Sequence, residues 1–281
     1  MKSAPGIVGS RSGSLQGFRA RFKVGERWLL PLGAGAVIVV LWYGLTNLFG
    51  IEAYVLPTPG VILSAAWHER HTLLIAALTT GKGAVLGFLV AVAAGFLGSI
   101  VMAASRNLQR AFYPYILMLH MTPVIILAPI FVLWFGQGLP SIVAITFMIC
   151  FFPIVANTTM GFVSTEAGLR DLFVLCKATR LQEICFLRVP AAMPYFLTGV
   201  KIAGTLAPIG AITGDFLAGS ASDGIGGLGY MTIAYFSQLR IPELFATGAV
   251  ACVLGFLFVG AVNLLHWSIL RQWHESAISR D

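Results

Sequence analysis

The chain has 281 residues, of which 58% are hydrophobic and only 10% charged, with a mean hydropathy of +0.87. Soluble domains carry about 25% charged residues, so this composition excludes an ordinary water-soluble enzyme and describes a chain built to sit in lipid. The net charge of +7 is no nucleic-acid footprint, because the basic residues bunch between apolar runs as membrane loops require.

Residues 1–27 hold six Lys or Arg and one acid, too long and too basic for most signal peptides, so the first apolar run is expected to be an uncleaved anchor. In this tail Leu15, Phe18 and Phe22 alternate with Arg19, Arg21 and Lys23, which fits either an interfacial basic helix or a disordered tail. Span one is expected at Trp28–Phe49. Residues 50–71 contain Pro57, Pro59 and the cluster His68-Glu69-Arg70-His71. Its histidines are three residues apart, whereas a zinc-binding H-E-x-x-H helix needs four, so it reads as a solvated loop end.

Span two, Thr72–Ala104, carries Gly81, Gly83, Gly87, Gly95 and Gly98, small residues that let membrane helices approach closely. The string around Lys82 brushes against a phosphate loop, but Ala76 stands where its first glycine belongs and Gly83 where its Ser or Thr belongs. This chain is therefore not expected to bind ATP in that manner. Span three, Phe112–Phe135, is expected to be broken by Pro123 and Pro129, and Gly136–Gly138 turn it into span four, Pro140–Phe162, with Pro153 inside. A charged segment, Val163–Pro190, leads to span five, Ala191–Leu217. A glycine-rich stretch, Gly219–Arg240, then precedes span six, Leu244–Leu270. Within it Gly224-Ile-Gly226-Gly-Leu-Gly229 matches G-x-G-x-x-G, but it lacks the strand and alternating βα unit of a dinucleotide site and reads as a turn-rich external loop. The four cysteines show neither a disulfide framework nor zinc spacing: Cys150 and Cys252 lie in apolar runs, and Cys176 and Cys185 have no histidine near them.

The expectation is an all-α membrane protein of six transmembrane helices: a basic tail (1–27), a six-span domain (28–270) and a short tail (271–281). The tails, 105–111 and 164–190 together hold 14 Lys or Arg, against 2 in the opposite loops. That bias puts both termini and the charged segment in the cytoplasm.

Three charges lie inside the spans: Lys82, Lys201 and Asp215. Each costs about 2.5–3.5 kcal/mol at a helix centre, so each is expected to face a partner, a wet cavity or the interface. Lys82 and Asp215 sit about 32–36 Å from the cytoplasmic ends of their helices, where they either pair to close the outer mouth of a cavity or snorkel separately to headgroups. Lys201 lies near mid-membrane and is expected to face the interior. Thr122, Asn157, Thr158 and Thr205 are further polar groups that either line a path or bond between helices.

Seven of the chain's 29 charged residues fall within Val163–Pro190, interleaved with Leu169, Leu172, Phe173 and Leu175 at helical spacing. A plain connection needs neither this length nor this amphipathicity, so a water-side partner is expected to dock here. The segment resembles the cytoplasmic EAA loop of binding-protein-dependent ABC importer permeases, in particular the nitrate, sulfonate, taurine and thiamine-precursor group. Aligned on Pro190, Asp171-Leu172-Phe173 stand where that family has E-A-A, Lys177 stands where it has glycine, and Val189-Pro190 match its closing L-P. Ala178-Thr179-Arg180 and Pro190-Ala191-Ala192-Met193-Pro194 fit well. Leu127-Ala128-Pro129 with Trp134-Phe135-Gly136, Phe151-Phe152-Pro153-Ile154 with Asn157-Thr158, Gly199-Val200-Lys201-Ile202-Ala203, Ile209-Gly210-Ala211 and Gly227-Leu228-Gly229-Tyr230 extend the resemblance over residues 30–270. The thiamine-pyrimidine-precursor members are nearest in the fifth span.

The resemblance implies a type I importer permease working as a homodimer or a closely related heterodimer in the bacterial inner membrane. Two ATPase subunits would sit beneath it, carrying ATP and Mg, and an extracytoplasmic solute-binding protein above it. This chain would itself be non-catalytic, with no cofactor, touching lipid but no nucleic acid. Glu166, Leu169, Arg170, Asp171, Leu172, Phe173, Lys177, Thr179 and Arg180 would couple it to the ATPase. Lys82, Thr122, Asn157, Lys201 and Asp215 would line the path or its gate for a small anionic or heterocyclic solute. Because Lys177 would crowd a tight turn, the coupling helix is expected either to run on or to meet an altered ATPase. The chief alternative is a secondary transporter driven by an ion gradient, which calls for inverted repeats that the sequence does not show. An intramembrane protease lacks its pair of nucleophile and base, since His120 and His266 have no Asp, Glu or Cys neighbour.

Overall fold

The computed structural model describes residues 13–221 and 226–278. The ends of both tails and the Gly224-Ile225 half of the glycine motif lie outside the described residues, as do the side chains of Leu15, Phe18 and Phe22. Two compact units form, Met1–Ile62 and Leu63–Asp281. The first contains α1 (Gly13–Leu48), whose Leu29–Leu48 portion is long and apolar enough to cross a membrane and leaves almost every large side chain exposed. The helix α2 (Pro59–His68) begins on a proline, which suits a first turn that has no use for its N–H.

The second unit is organised around three long helices, α3 (Arg70–Ala104), α6 (Leu139–Val163) and α9 (Val189–Ala218), each packed on the other two. Hydrocarbon is as apolar as leucine, so such helices are held by close packing rather than by escape from water. Glycines provide the closeness. A Cβ on Gly95 of α3 would lie 2.8 Å from Ile154 of α6, and one on Gly199 of α9 would lie 2.9 Å from the Pro153 carbonyl oxygen. Around these contacts Cys150, Ile154, Ala203 and Ala207 are fully buried. Phe88 of α3 meets Phe258 of α11 (Ile241–Ile278) edge-on at 5.6 Å, which fastens the last helix to the core.

Five described helices are long and apolar enough to span a membrane, and a bent pair makes a sixth. The pair is α4 (Arg106–Met121) and α5 (Val124–Phe135), which meet at 99°. The break falls at Pro123 alone. Its ring keeps Thr122 extended (φ −71°, ψ 125°), whereas Pro129 sits inside α5 without ending it. The expected Gly136–Gly138 turn forms, with φ of 79° and 97° that only glycine adopts cheaply, and the Gly138 N–H donates to Ala218 at the end of α9.

Between α6 and α9 lie α7 (Ala167–Leu175), α8 (Arg180–Glu183) and a single π turn, Ile184–Arg188. The stretch expected to be a turn-rich external loop also contains a ten-residue helix, α10 (Leu228–Ser237). Gly226, Gly227 and Gly229 are packing devices, whose spelling does not announce a helix after them.

Candidate coupling segment and gate

Segment 164–190 folds as a helix, a tight reversal and a second short helix. At the reversal Lys177 takes φ 51°. The Ala178 N–H donates to Phe173 O (3.0 Å) and the Lys177 N–H to Val174 O (3.0 Å), a Schellman closure with lysine in the position that favours glycine. The helix therefore does not run on, because the carbonyls freed at its end are worth more, once paired, than the strain of one lysine in the left-handed region. Thr179 then caps α8 reciprocally: its hydroxyl accepts from the Gln182 N–H, and Gln182 Oε1 accepts from the Thr179 N–H at 2.8 Å.

Glu183 is the hub that sequence reasoning left out. Its Oε1 accepts from Arg188 Nε (2.9 Å) and Nη2 (2.6 Å) and lies 3.5 Å from Arg170 Nε. The π turn closes a bond from Val189 N–H to Ile184 O and brings Arg188 against a partner five residues back. Arg188 Nη1 also donates to Ala103 O (3.1 Å), one of the last carbonyls of α3, which lack partners within the helix. A single ion cluster thus ties α7, α8, the start of α9 and the end of α3. The T-x-x-Q spelling at Thr179 could have been read from sequence; the Glu183–Arg188 pair could not, since it depends on a π turn.

The brace leaves apolar side chains facing outward. Leu169, Leu172 (51% exposed), Val174 and Leu175 (80%) are exposed on α7, with Leu181 and Phe186 beyond. Phe173 is half-buried, while Glu166, Asp171, Lys177, Thr179 and Arg180 are exposed. Arg170, expected among the coupling residues, is turned onto Glu183.

At the far end of α9, of the two alternatives for Lys82 and Asp215, the ion pair does not form. Lys82 is exposed, whereas Asp215 is 1% exposed and accepts from the hydroxyl of Thr80, two residues before Lys82 and nearly on the opposite side of α3. That hydroxyl accepts in turn from the Leu228 N–H at 2.8 Å, so the start of α10 is clasped to α3 and α9 together. Gly227 and Gly229 leave no room for a Cβ: at Gly227 it would enter the Asp215 carboxylate, and at Gly229 the Ile212 carbonyl. Thr80 was not singled out from sequence. Nearby, Glu69 leaves the solvated loop expected of it, and Arg240 Nη2 bridges it (2.7 Å) to Glu243 (2.9 Å), with Arg240 Cζ 4.9 Å from the centre of the Tyr235 ring. The Arg240 hydrogen bond holds the Glu69 carboxyl below the usual carboxylate range.

The structure does not gather the remaining polar positions into one site. Asn157 Nδ2 donates to Pro153 O (2.8 Å) and Thr122 Oγ1 to Met118 O (2.9 Å), while Thr158 and Thr205 likewise bond within their own helices. Lys201 is exposed, and with Thr198 and Thr205 it forms a polar stripe along one face of α9.

Residues 71–272 match the model of the binding-protein-dependent transport system inner membrane component family. The chain belongs to that family. This permease is 35% identical over 240 residues to the formylaminopyrimidine transport permease protein ThiX of Halalkalibacterium halodurans, covering 85% of this chain and 93% of that protein. It is 30% identical to the putative aliphatic sulfonates transport permease protein SsuC of Bacillus subtilis over 89% of each, and 29% identical to the riboflavin transport system permease protein RibX of Chloroflexus aurantiacus over 85% and 88%. The structure is similar to a solved amino acid ABC transporter chain, with a TM-score of 0.56 at 15% identity over 74% of this chain and 98% of that one, which supports the type I permease fold. The permease is thus a multi-pass membrane subunit of an ABC importer, a family whose members work with an ATPase and a binding protein, and the ion-gradient alternative is not favoured.

Proposed function

We propose that this permease pairs with a second permease subunit, identical or closely related, in a bacterial inner membrane with both termini cytoplasmic. Two ATPase subunits bind beneath it and an external solute-binding protein above it. The observation that carries this reading is the outward apolar face of α7, held on a support braced to α3 and α9 through Glu183 and Arg188. Leu169, Leu172 and Val174 fill a groove of the ATPase, while Asp171, Lys177 and Arg180 meet its rim. Movement of the ATPase pair passes through the ion cluster to α9, which opens the path alternately to each side. ATP and Mg²⁺ stay on the ATPase, and this chain supplies neither a catalytic group nor a cofactor.

The cargo is a small anionic or heterocyclic solute. The names of the relatives, which include transporters of formylaminopyrimidine, riboflavin and nitrate, support that class, and the exposed Lys201 stripe offers an anion a countercharge. Asn157 and Thr122 flank the path, Lys82 stands at its outer rim, and the Asp215–Thr80 clasp seals its outer end. Because Leu172 is exposed, Leu172→Asp disturbs docking without disturbing the fold. It is expected to abolish co-purification with the co-expressed ATPase while membrane insertion stays normal; undiminished co-purification would remove the docking role.

A further inference from the structure

A cavity of about 630 Å³ opens beside the coupling segment, between the ends of α3 and α6, the first turn of α4 and the start of the π turn. Four arginines line it, Arg110, Arg170, Arg180 and Arg188, against one carboxylate, Glu183. Glu183 is already shared by Arg170 and Arg188, and Arg110 and Arg180 have no carboxylate within ion-pair distance among the described residues. The Arg170 Nε–H completes no hydrogen bond.

A second observation is independent of this charge. Thr159, on the wall formed by α6, is only 2% exposed, yet its hydroxyl has no hydrogen-bond partner. Neighbouring threonines do not behave so: the Thr158 hydroxyl donates to Ile154 O at 2.6 Å. A buried hydroxyl left unpaired loses its hydration without recompense, and such sites call for a missing partner. The first turn of the sixteen-residue α4 also edges the cavity through Ser105, Asn107 and Gln109, so the positive end of a helix adds to the arginines.

We propose that this cavity is a binding site for a phosphate group, at the membrane end that carries the coupling segment. Several guanidinium forks converging with one hydroxyl suit a tetrahedral oxyanion, whose oxygens accept from many directions at once. The volume lies within the range of small-ligand sites and admits either a free phosphate compound or the headgroup of an anionic phospholipid from the adjoining leaflet. Occupancy would join α4 and α6 to the braced segment, so it would stiffen the element that the ATPase moves.

The full-length permease in nanodiscs separates the two sources. In phosphatidylcholine alone, inorganic phosphate at about ten times its Kd, against chloride at matched ionic strength, is expected to raise Tm by about 3 °C if the ligand is free. If it is a headgroup, phosphatidylglycerol in the disc gives the gain and added phosphate adds nothing. In either case Arg110→Gln, an exposed position that leaves packing intact, is expected to weaken the affinity read from this shift roughly tenfold, and Thr159→Val by a smaller factor. The proposal is overturned if neither phosphate nor phosphatidylglycerol shifts the wild-type protein, or if the shift persists unchanged in both variants.

Discussion

Two short helices at opposite ends of α9 close in the same way and are used differently. α7 ends on Lys177 with φ 51° and α10 on Leu239 with φ 57°, and in each the next residue's N–H reaches back to the carbonyl five residues earlier, Ala178 to Phe173 and Arg240 to Tyr235. An Arg–Glu cluster follows both, Arg188–Glu183–Arg170 at one end and Arg240 with Glu69 and Glu243 at the other. At the α10 end the helix is then sealed onto the bundle by the Asp215–Thr80–Leu228 clasp, with glycines where any side chain would intrude. The α7 end keeps Leu172 and Leu175 exposed and a cavity open beside it. The same local closure therefore ends a sealed helix where packing glycines stand at its start and an exposed apolar one where they do not.

The contrast can be broken most severely at the sealed end. Gly229→Val would drive a side chain into the backbone of α9 and is expected to destabilise the fold by about 3 kcal/mol, read as a large fall in Tm. At the α7 end Glu183→Ala leaves two half-buried arginines without their carboxylate and is expected to cost about 1–2 kcal/mol. Its sharper readout is functional: ATP hydrolysis by the assembled importer should continue while solute uptake falls. Acid should act more gently on the sealed end. Glu69 is held below its ordinary value, so its contribution is complete at neutral pH and is lost as pH falls below about 4.5 and the carboxyl takes up a proton. The loss should stay under about 1 kcal/mol because the pair is partly exposed, and it should vanish in Arg240→Gln, as thermal melts across that pH range would show. Smallest of all, Lys177→Gly should stabilise the coupling turn by roughly 0.5 kcal/mol, since the left-handed strain disappears while the unfolded chain gains freedom, and ATPase binding should persist.

Span positions were legible because lipid imposes length and composition on each one separately. Thr72–Ala104 was expected and Arg70–Ala104 is observed; Pro140–Phe162 became Leu139–Val163, and Ala191–Leu217 became Val189–Ala218. The amphipathic α7 was legible for the same reason, since its leucines and charges repeat within one helix. The 99° bend was legible only in part, as two prolines were candidates and one makes it. α10 was missed, because its anchor is a carboxylate on α9 and a hydroxyl on α3 rather than anything in its own spelling.

By itself, then, the sequence determined the helical class, the spans, the side of each loop expected from its charge, and the amphipathic character of α7. Each of these depends on neighbours in the chain or on the bilayer as solvent. Only the tertiary structure decided that Asp215 belongs to Thr80 and not to Lys82, that Arg170 turns inward to Glu183, and that four arginines share a cavity with an unpaired threonine. Those pairings join residues far apart in the chain, and whether two such side chains meet is set by how closely glycine lets the helices pack.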